Sequence, residues 1–221
     1  MIATISADIV RSTSLETADL LELRKGLQGL IGGFEKDIPG FWARIVRGDS
    51  LECVVPDYRD SLRIAILLKL FVKMNAASFN CSQMLQRHGI RFSIAVGSLK
   101  YADKKDDIID GPAIYLSGRN LDEISRKGGR MSVFDMDGEP RSLSNMLDSY
   151  VALVCDIVDS YSAKQAAVVY YKLLGFKELE ISERLGIYQS SVNMRATNAQ
   201  WTLLNMAIKD FENFDLEKVC G

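Results

Sequence analysis

The residues of this chain best suited to chemistry are two aspartates, Asp8 and Asp49, each near the end of a short apolar run. The runs read IATISADIV and ARIVRGDSLECVV. Aspartate is a poor strand residue, and its carboxylate is costly to bury unless something pairs with it. Two carboxylates on neighbouring strands can bridge Mg²⁺ ions, and such ions neutralise a polyphosphate. The bland alternative is a pair of exposed turn residues. After Asp8, the residues Arg11, Ser12 and Thr13 lead into a helix-patterned segment, and free backbone N–H groups at a helix start suit a phosphate.

A second group lies near the other end of the chain, in KELEISERLG followed by IYQSSV. Ile181, Leu185, Ile187 and Val192 hold the apolar positions, and Gly186 marks a tight turn between two helices. If the later helix entered a DNA major groove by its N-terminal half, Gln189, Ser190, Asn193 and Met194 would face base edges. Gln and Asn can pair bidentately with adenine. Lys177 and Arg195 would reach phosphates. Charge argues against this: Val151 to Gly221 holds seven Lys and Arg against nine Asp and Glu. Phosphate neutralisation dominates nucleic-acid affinity. Protein docking, dimerisation and plain helix packing are therefore the competing readings.

The elements that must position these groups follow from periodicity. Strands are expected at IATISADIV, in a hairpin FWARIVRGDSLECVVPD turning at RGDS, at IRFSIAVGSLKY and at RMSVFDM. A helix is expected from SLETADLL onward with Ser14 as its N-cap. YRDSLRIAILLKLFVKMNAASFNCSQMLQR reads as a long amphipathic helix or a broken pair. ADKKDDIIDG reads as a charged loop that could serve as a lid, and PAIYLSGRNLDEISRKGG as a helix ended by Gly128 and Gly129. The order β-α-β-β-α-β is ferredoxin-like, with a mainly antiparallel sheet and helices on one face. After the turn DGEPRS only helices are expected, the last running unbroken through IYQSSVNMRATNAQWTLLNMAIKDFENF. The predicted class is α+β: an α/β sandwich over residues 1–142 and a small all-α unit over 143–221.

The 221 residues suit one large domain or two small ones, and a formal net charge of −2 excludes a global basic surface. No apolar run reaches the roughly 18 residues of a membrane span, and the start of the chain lacks a signal-peptide pattern. Cys53, Cys81, Cys155 and Cys220 form no C-x-x-C pair and read as reduced core thiols of a cytoplasmic protein. His88, the single histidine, precedes a glycine and reads as a helix-end residue. Tyr170, Tyr171 and Phe176 read as core residues.

The motifs SADIVRSTSL, RIVRGDSLECVV and DGPAIYLSGR resemble, in order and spacing, the start of class III nucleotide cyclases, over roughly residues 1 to 135. The resemblance implies that Asp8, Asp49 and the Ile9 carbonyl hold Mg²⁺ or Mn²⁺ beside a nucleotide, and that Arg119 contacts phosphate or the transition state. It also implies a site completed across a homodimer. The chain departs from that pattern: Tyr115 stands where the family has asparagine, Ile45 where it has the base-reading lysine, and Ile108 where it has an acidic base-reading residue. The same motifs, with the chain length and a helical C-terminal segment, are similar to the SatD family. The stretch Glu180–Val192 resembles the helix-turn-helix of sigma-factor region four and of LuxR-type regulators, which implies a DNA partner. Together these resemblances imply a ligand-responsive DNA-binding regulator; the alternatives are an active nucleotide cyclase and a non-catalytic scaffold with a protein-docking helical module.

Overall fold

The computed structural model describes residues 1–46, 48–138 and 140–220, the last of these without its side chain. Arg47 in the hairpin turn, Glu139 in the DGEPRS turn and the Cys220 thiol therefore lie outside the described residues. In chain order the elements are β1 (Ile2–Ile9), α1 (Thr17–Asp37), β2 (Trp42–Val46), β3 (Ser50–Val55), α2 (Ser61–Ala76), α3 (Gln83–His88) and β4 (Ile90–Gly97). They continue with β5 (Tyr101–Asp103), β6 (Ile108–Asp110), α4 (Pro112–Lys127), β7 (Ser132–Met136) and α5 (Arg141–Asp159). The chain finishes with α6 (Ala163–Leu173), α7 (Glu178–Leu185), α8 (Gln189–Asn198), α9 (Trp201–Asn213) and α10 (Leu216–Cys220).

Five strands form one sheet in the order β2-β3-β1-β4-β7. β1 is antiparallel to β3 and β4, and only β7 runs parallel to its neighbour, β4. The first four strands have the ferredoxin-like order expected from β-α-β-β-α-β. Alternation along β1 fixes the two faces. Ala3, Ile5, Ala7 and Ile9 join a core with Leu23, Leu27 and Ile31 of α1 and the apolar residues of α2. Thr4 and Ser6 point the other way and hydrogen-bond Ser117 of α4, at 3.1 and 2.8 Å. Helices thus cover both faces, not one. The reason is that β1 carries small polar residues on its second face, which a helix can cover if it supplies a polar partner such as Ser117.

Local departures from the sequence reading have identifiable causes. The long segment after β3 is a broken pair, and α2 is buried nearly all round rather than amphipathic. It lies between the sheet and α6, so both its sides meet apolar partners. ADKKDDIIDG is not a plain loop: β5 and β6 pair as a two-stranded ribbon. Ser14 does not cap α1; it closes a 3₁₀ turn onto the Arg11 carbonyl, accepts from the Ser82 amide, and α1 starts after Glu16. The last helix breaks at Gln200, whose left-handed φ of 51° separates α8 from α9. α4 begins where expected, with Pro112 in its first turn and Gly111 at φ 144°. A Cβ on Gly111 would lie 2.7 Å from backbone atoms of Leu99 and Lys100, so only glycine fits there.

The apolar core runs across residue 142 without interruption. Val151, Val154, Val169, Ile208 and Phe211 belong to the same buried cluster as Leu62, Ile66 and Leu70 of α2. A smaller cluster of Val168, Ile181, Val192 and Ala196 holds α7 and α8 onto α6. Polar ties reinforce the join: Arg63 bonds Glu212 at 2.5 and 3.2 Å and the Leu173 carbonyl at 3.1 Å. Among the described residues no helix is long and apolar enough to cross a membrane.

Candidate functional site

Asp8 is the last polar residue of β1, paired across the sheet with Ser50 on one side and Arg91 on the other. Asp49 immediately precedes Ser50, and its carbonyl accepts the Ile9 amide at 3.1 Å. The register therefore sets both aspartates at one end of adjacent central strands. Arg91 Nε donates to Asp8 Oδ1 at 2.6 Å, and Ser12 Oγ donates to Asp49 Oδ2 at 2.5 Å. Ser12 lies in the 3₁₀ turn that follows the left-handed Arg11, at φ 55°. The turn that leaves β1 thus folds back onto the hairpin aspartate.

Burial pushes the Asp8 carboxyl above its ordinary value, Arg91 pulls it down, and the charges of Asp49 and Asp122 push it up again. Asp122 is a site neighbour the sequence reading missed. Ser117 of α4 touches Thr4 and Ser6, and Asp122 lies further along α4, so the helix follows β1 toward Asp8. Arg119 is on the exposed side of α4 with Tyr115, one turn away. Thr13 and Arg11 are exposed beside Ser12.

Other positions singled out in the sequence have different neighbours. Tyr115 donates its hydroxyl to Asp110 on β6. Ile45 packs against the apolar core on the α1 side of the sheet. Its neighbour Arg44 faces the opposite side, where it pairs with Glu52 at 2.6 Å and Asp107 at 3.4 Å. Ile108 is exposed on the ribbon. The ribbon tip is fastened by Lys104 to Glu35 of α1 at 2.7 Å. Cys53 and Cys155 are free, buried thiols, and burial pushes Cys53 up to about 12. Cys81 is free but only half-buried. Tyr170 is buried and stacks edge-on with Tyr171, which in turn meets Phe176.

His88 does more than end α3. Its Nδ1 lies 2.7 Å from Asp159 Oδ2 at the end of α5. Lys69, fully buried in α2, donates to the carbonyls of His88 at 2.5 Å and Ile90 at 2.8 Å and faces Asp159 Oδ1 at 2.7 Å. Lys73 donates to the Arg87 carbonyl and, at 2.9 Å, to the Asp159 carbonyl. The two ammonium groups thus satisfy carbonyls at the end of α3 and the start of β4, while Asp159 ties α5 to them.

At the far tip, Gln189, Ser190, Asn193 and Met194 all lie on the exposed side of α8, while Val192 and Ala196 face inward. Gly186 ends α7 in the left-handed conformation at φ 63°. Lys177 is the N-cap of α7 and Arg195 is half-buried near the end of α8. The first turn of α7 carries Glu178 and Glu180.

Among the described residues no three His, Cys, Asp or Glu side chains group closely enough to hold a metal ion. The pair Asp8 and Asp49 still has the donor chemistry for Mg²⁺, which keeps waters and takes one or two carboxylates together with phosphate oxygens. Burial, before any neighbouring charge, raises the Asp8 carboxyl, and Arg91 already pairs with one of its oxygens.

No family model matches the chain, and no curated protein does. Solved structures that resemble it include the guanylyl cyclase Cya2, at 12% identity over 55% of this chain and 69% of that one, with a TM-score of 0.39. A bacterial light-regulated adenylyl cyclase resembles it at 13% identity over 61% of this chain and 74% of that one, with a TM-score of 0.40. Both neighbours are nucleotide cyclases, and both superpositions are too loose to transfer the role of any residue.

Proposed function

We propose that this chain binds a nucleoside triphosphate with Mg²⁺ or Mn²⁺ at the ends of β1 and β3, as a sensor and not as a cyclase. The observation that carries this reading is the strand register that sets Asp8 and Asp49 at one end of adjacent strands, with the Ser12 turn folded back onto Asp49. Asp8, Asp49 and the Ile9 carbonyl would hold the ion, which supplies charge neutralisation for the phosphates. Ser12, Thr13 and Arg11 would meet the phosphates from the turn, and Arg119 from α4. Two placements favour binding without turnover: the Tyr115 hydroxyl is committed to Asp110, and Ile45 is turned to the core, so neither offers a group to the base or to developing charge. A homodimer completing the site belongs to the same reading. Titration calorimetry with ATP and GTP in Mg²⁺ is expected to show saturable binding that Asp8→Ala/Asp49→Ala abolishes. Mass spectrometry after incubation with each triphosphate and Mn²⁺ is expected to find no cyclic product; a cyclic product would establish the cyclase alternative.

A second reading concerns the tip: α8 is a DNA-reading helix and the chain a regulator. It is favoured by the side chains of Gln189, Asn193 and Met194, which are exposed and uncommitted to hydrogen bonds among the described residues. The acidic first turn of α7 and the net negative charge of the segment oppose it. A gel-shift series at low salt decides it, because a DNA-binding module must show affinity that falls as salt rises. Absence of any shift would leave the tip as a docking or packing unit.

A further inference from the structure

α5 and α9 leave an apolar face bare on the outside of the helical half. Met146 and Leu153 of α5 are 54% and 68% exposed, and Leu203 and Met206 of α9 are 42% and 53% exposed. Their spacings of seven and three put each pair on one side of its helix. Tyr150 Oη donates to the Ala207 carbonyl at 2.6 Å, which sets the two stripes side by side. Beside Met146 and Leu153 runs a groove of about 340 Å³, walled by Leu147, Tyr150, Phe211 and Phe214.

The core does not account for these residues. α5 already buries Val151 and Val154, and α9 buries Leu204 and Ile208. A solvated helix face ordinarily carries charge. Here α5 has none from Ser149 to Cys155, and α9 has none from Trp201 to Ile208. Asp148, just before that stretch, is engaged by Arg130 at 2.7 Å and by the Phe134 amide at 2.9 Å. Depletion of charge with enrichment in Met and Tyr is the make-up of an interface centre.

The face suits a second copy of itself in shape, charge and extent. It carries both a groove and projecting side chains, so each copy can fill the other's groove, as a two-fold contact requires. Its rim has both signs: Asp156 follows Leu153 by about one turn, and Lys209 and Asp210 follow Met206. None of these three has an ion-pair partner among the described residues. A uniformly basic or acidic partner would meet a repelling charge, whereas a second copy can set Lys209 against Asp156 or Asp210. The four exposed residues leave roughly 400 Å² of apolar surface bare, enough to mark an interaction site. That is close to the apolar share of the ~800 Å² that each partner of a standard dimer buries.

We propose that the α5–α9 face is the contact by which two copies of this chain pair, two-fold, with α5 and α9 of each copy packed against those of the other. α5 packs on β7, the edge strand two places from β1. The contact is therefore distinct from a homodimer that completes the site at Asp8 and Asp49.

The test is sedimentation equilibrium of the full chain in EDTA, without nucleotide. A reversible monomer–dimer equilibrium is expected at concentrations up to about 100 µM. Leu153→Glu/Met206→Glu is expected to raise the dissociation constant at least about thirtyfold with the circular dichroism unchanged, because both side chains are exposed. Lys209→Glu should weaken pairing, and mixing it with Asp156→Lys/Asp210→Lys should favour the mixed dimer over either variant's own. Asp8→Ala/Asp49→Ala should leave pairing intact. A chain that stays monomeric overturns the proposal, and saturable decanoate binding by that monomer would assign the groove to apolar small molecules instead. Pairing indifferent to Leu153→Glu/Met206→Glu also overturns it. Pairing lost with the two aspartates overturns it too, and assigns the dimer to the candidate nucleotide site.

Discussion

The carboxyl of Asp8 is pulled two ways: burial, Asp49 and Asp122 oppose its ionisation, and Arg91 favours it. Because its folded value is raised above the unfolded value of 3.8, the folded state holds a proton that the unfolded state has released over the interval between them. Its contribution to stability therefore falls as pH rises from 3.8 through the folded value. Asp8→Asn should remove that slope, so urea midpoints of the variant measured against pH should gain on the parent as pH rises through this window. Mg²⁺ with a triphosphate should flatten the parent's slope by pairing the ionised form; an unchanged slope would argue against a cation at Asp8. The two aspartates and Ser12 could be picked out as candidates from type and spacing alone. Arg91 and Asp122 were not, because their relation to Asp8 runs through strand register and helix placement, neither of which leaves a local pattern.

The helices and strands were mostly legible where a local signal forces them. β1 alternates, Pro112 opens α4, Gly128 ends it, and Gly186 ends α7. The reading failed where tertiary contact overrides the pattern. α2 looked amphipathic because Lys69 and Lys73 interrupt its apolar run, yet both lysines are buried against carbonyls and Asp159. Nothing in the sequence announces that an acceptor 86 residues away will receive Lys73. This joint between α2, α3 and α5 supports a prediction. Asp159→Ala leaves the Lys69 ammonium buried without its counter-charge and should cost about 3–5 kcal/mol in denaturant unfolding. Lys69→Met in the Asp159→Ala background should recover part of the loss, since no unpaired charge then remains. No recovery would mean that the joint acts by shape and not by charge.

At the scale of the molecule, α2 decides the organisation. It is covered by the sheet on one side and by α6 on another, and one buried cluster includes residues from both halves of the chain. A helix that is apolar all round needs partners all round. The chain should accordingly unfold as one cooperative unit. Its two tryptophans report on the two parts: Trp42 is in β2 and Trp201 opens α9. Urea transitions followed in Trp42→Phe and Trp201→Phe should have the same midpoint after correction for each variant's stability by circular dichroism. Separated midpoints would show that residues 143–221 fold on their own. The same continuity gives the tip a mechanical link to the sheet, through α6, which contacts both α2 and α8.

The sequence by itself determined the α+β class, the ferredoxin-like strand order, the candidate carboxylate pair and the glycine-punctuated helices of the tip. Each of these rests on local chemistry: alternation, caps, turns and the spacing of a few residue types. Only the tertiary structure decided that α4 covers the second face of the sheet, that Arg91 and Asp122 flank Asp8, and that buried lysines join the helical segment to the α/β part. These features depend on residues that are distant in sequence, and their energies come from burial and from charges brought together by packing, which no short window of the chain encodes.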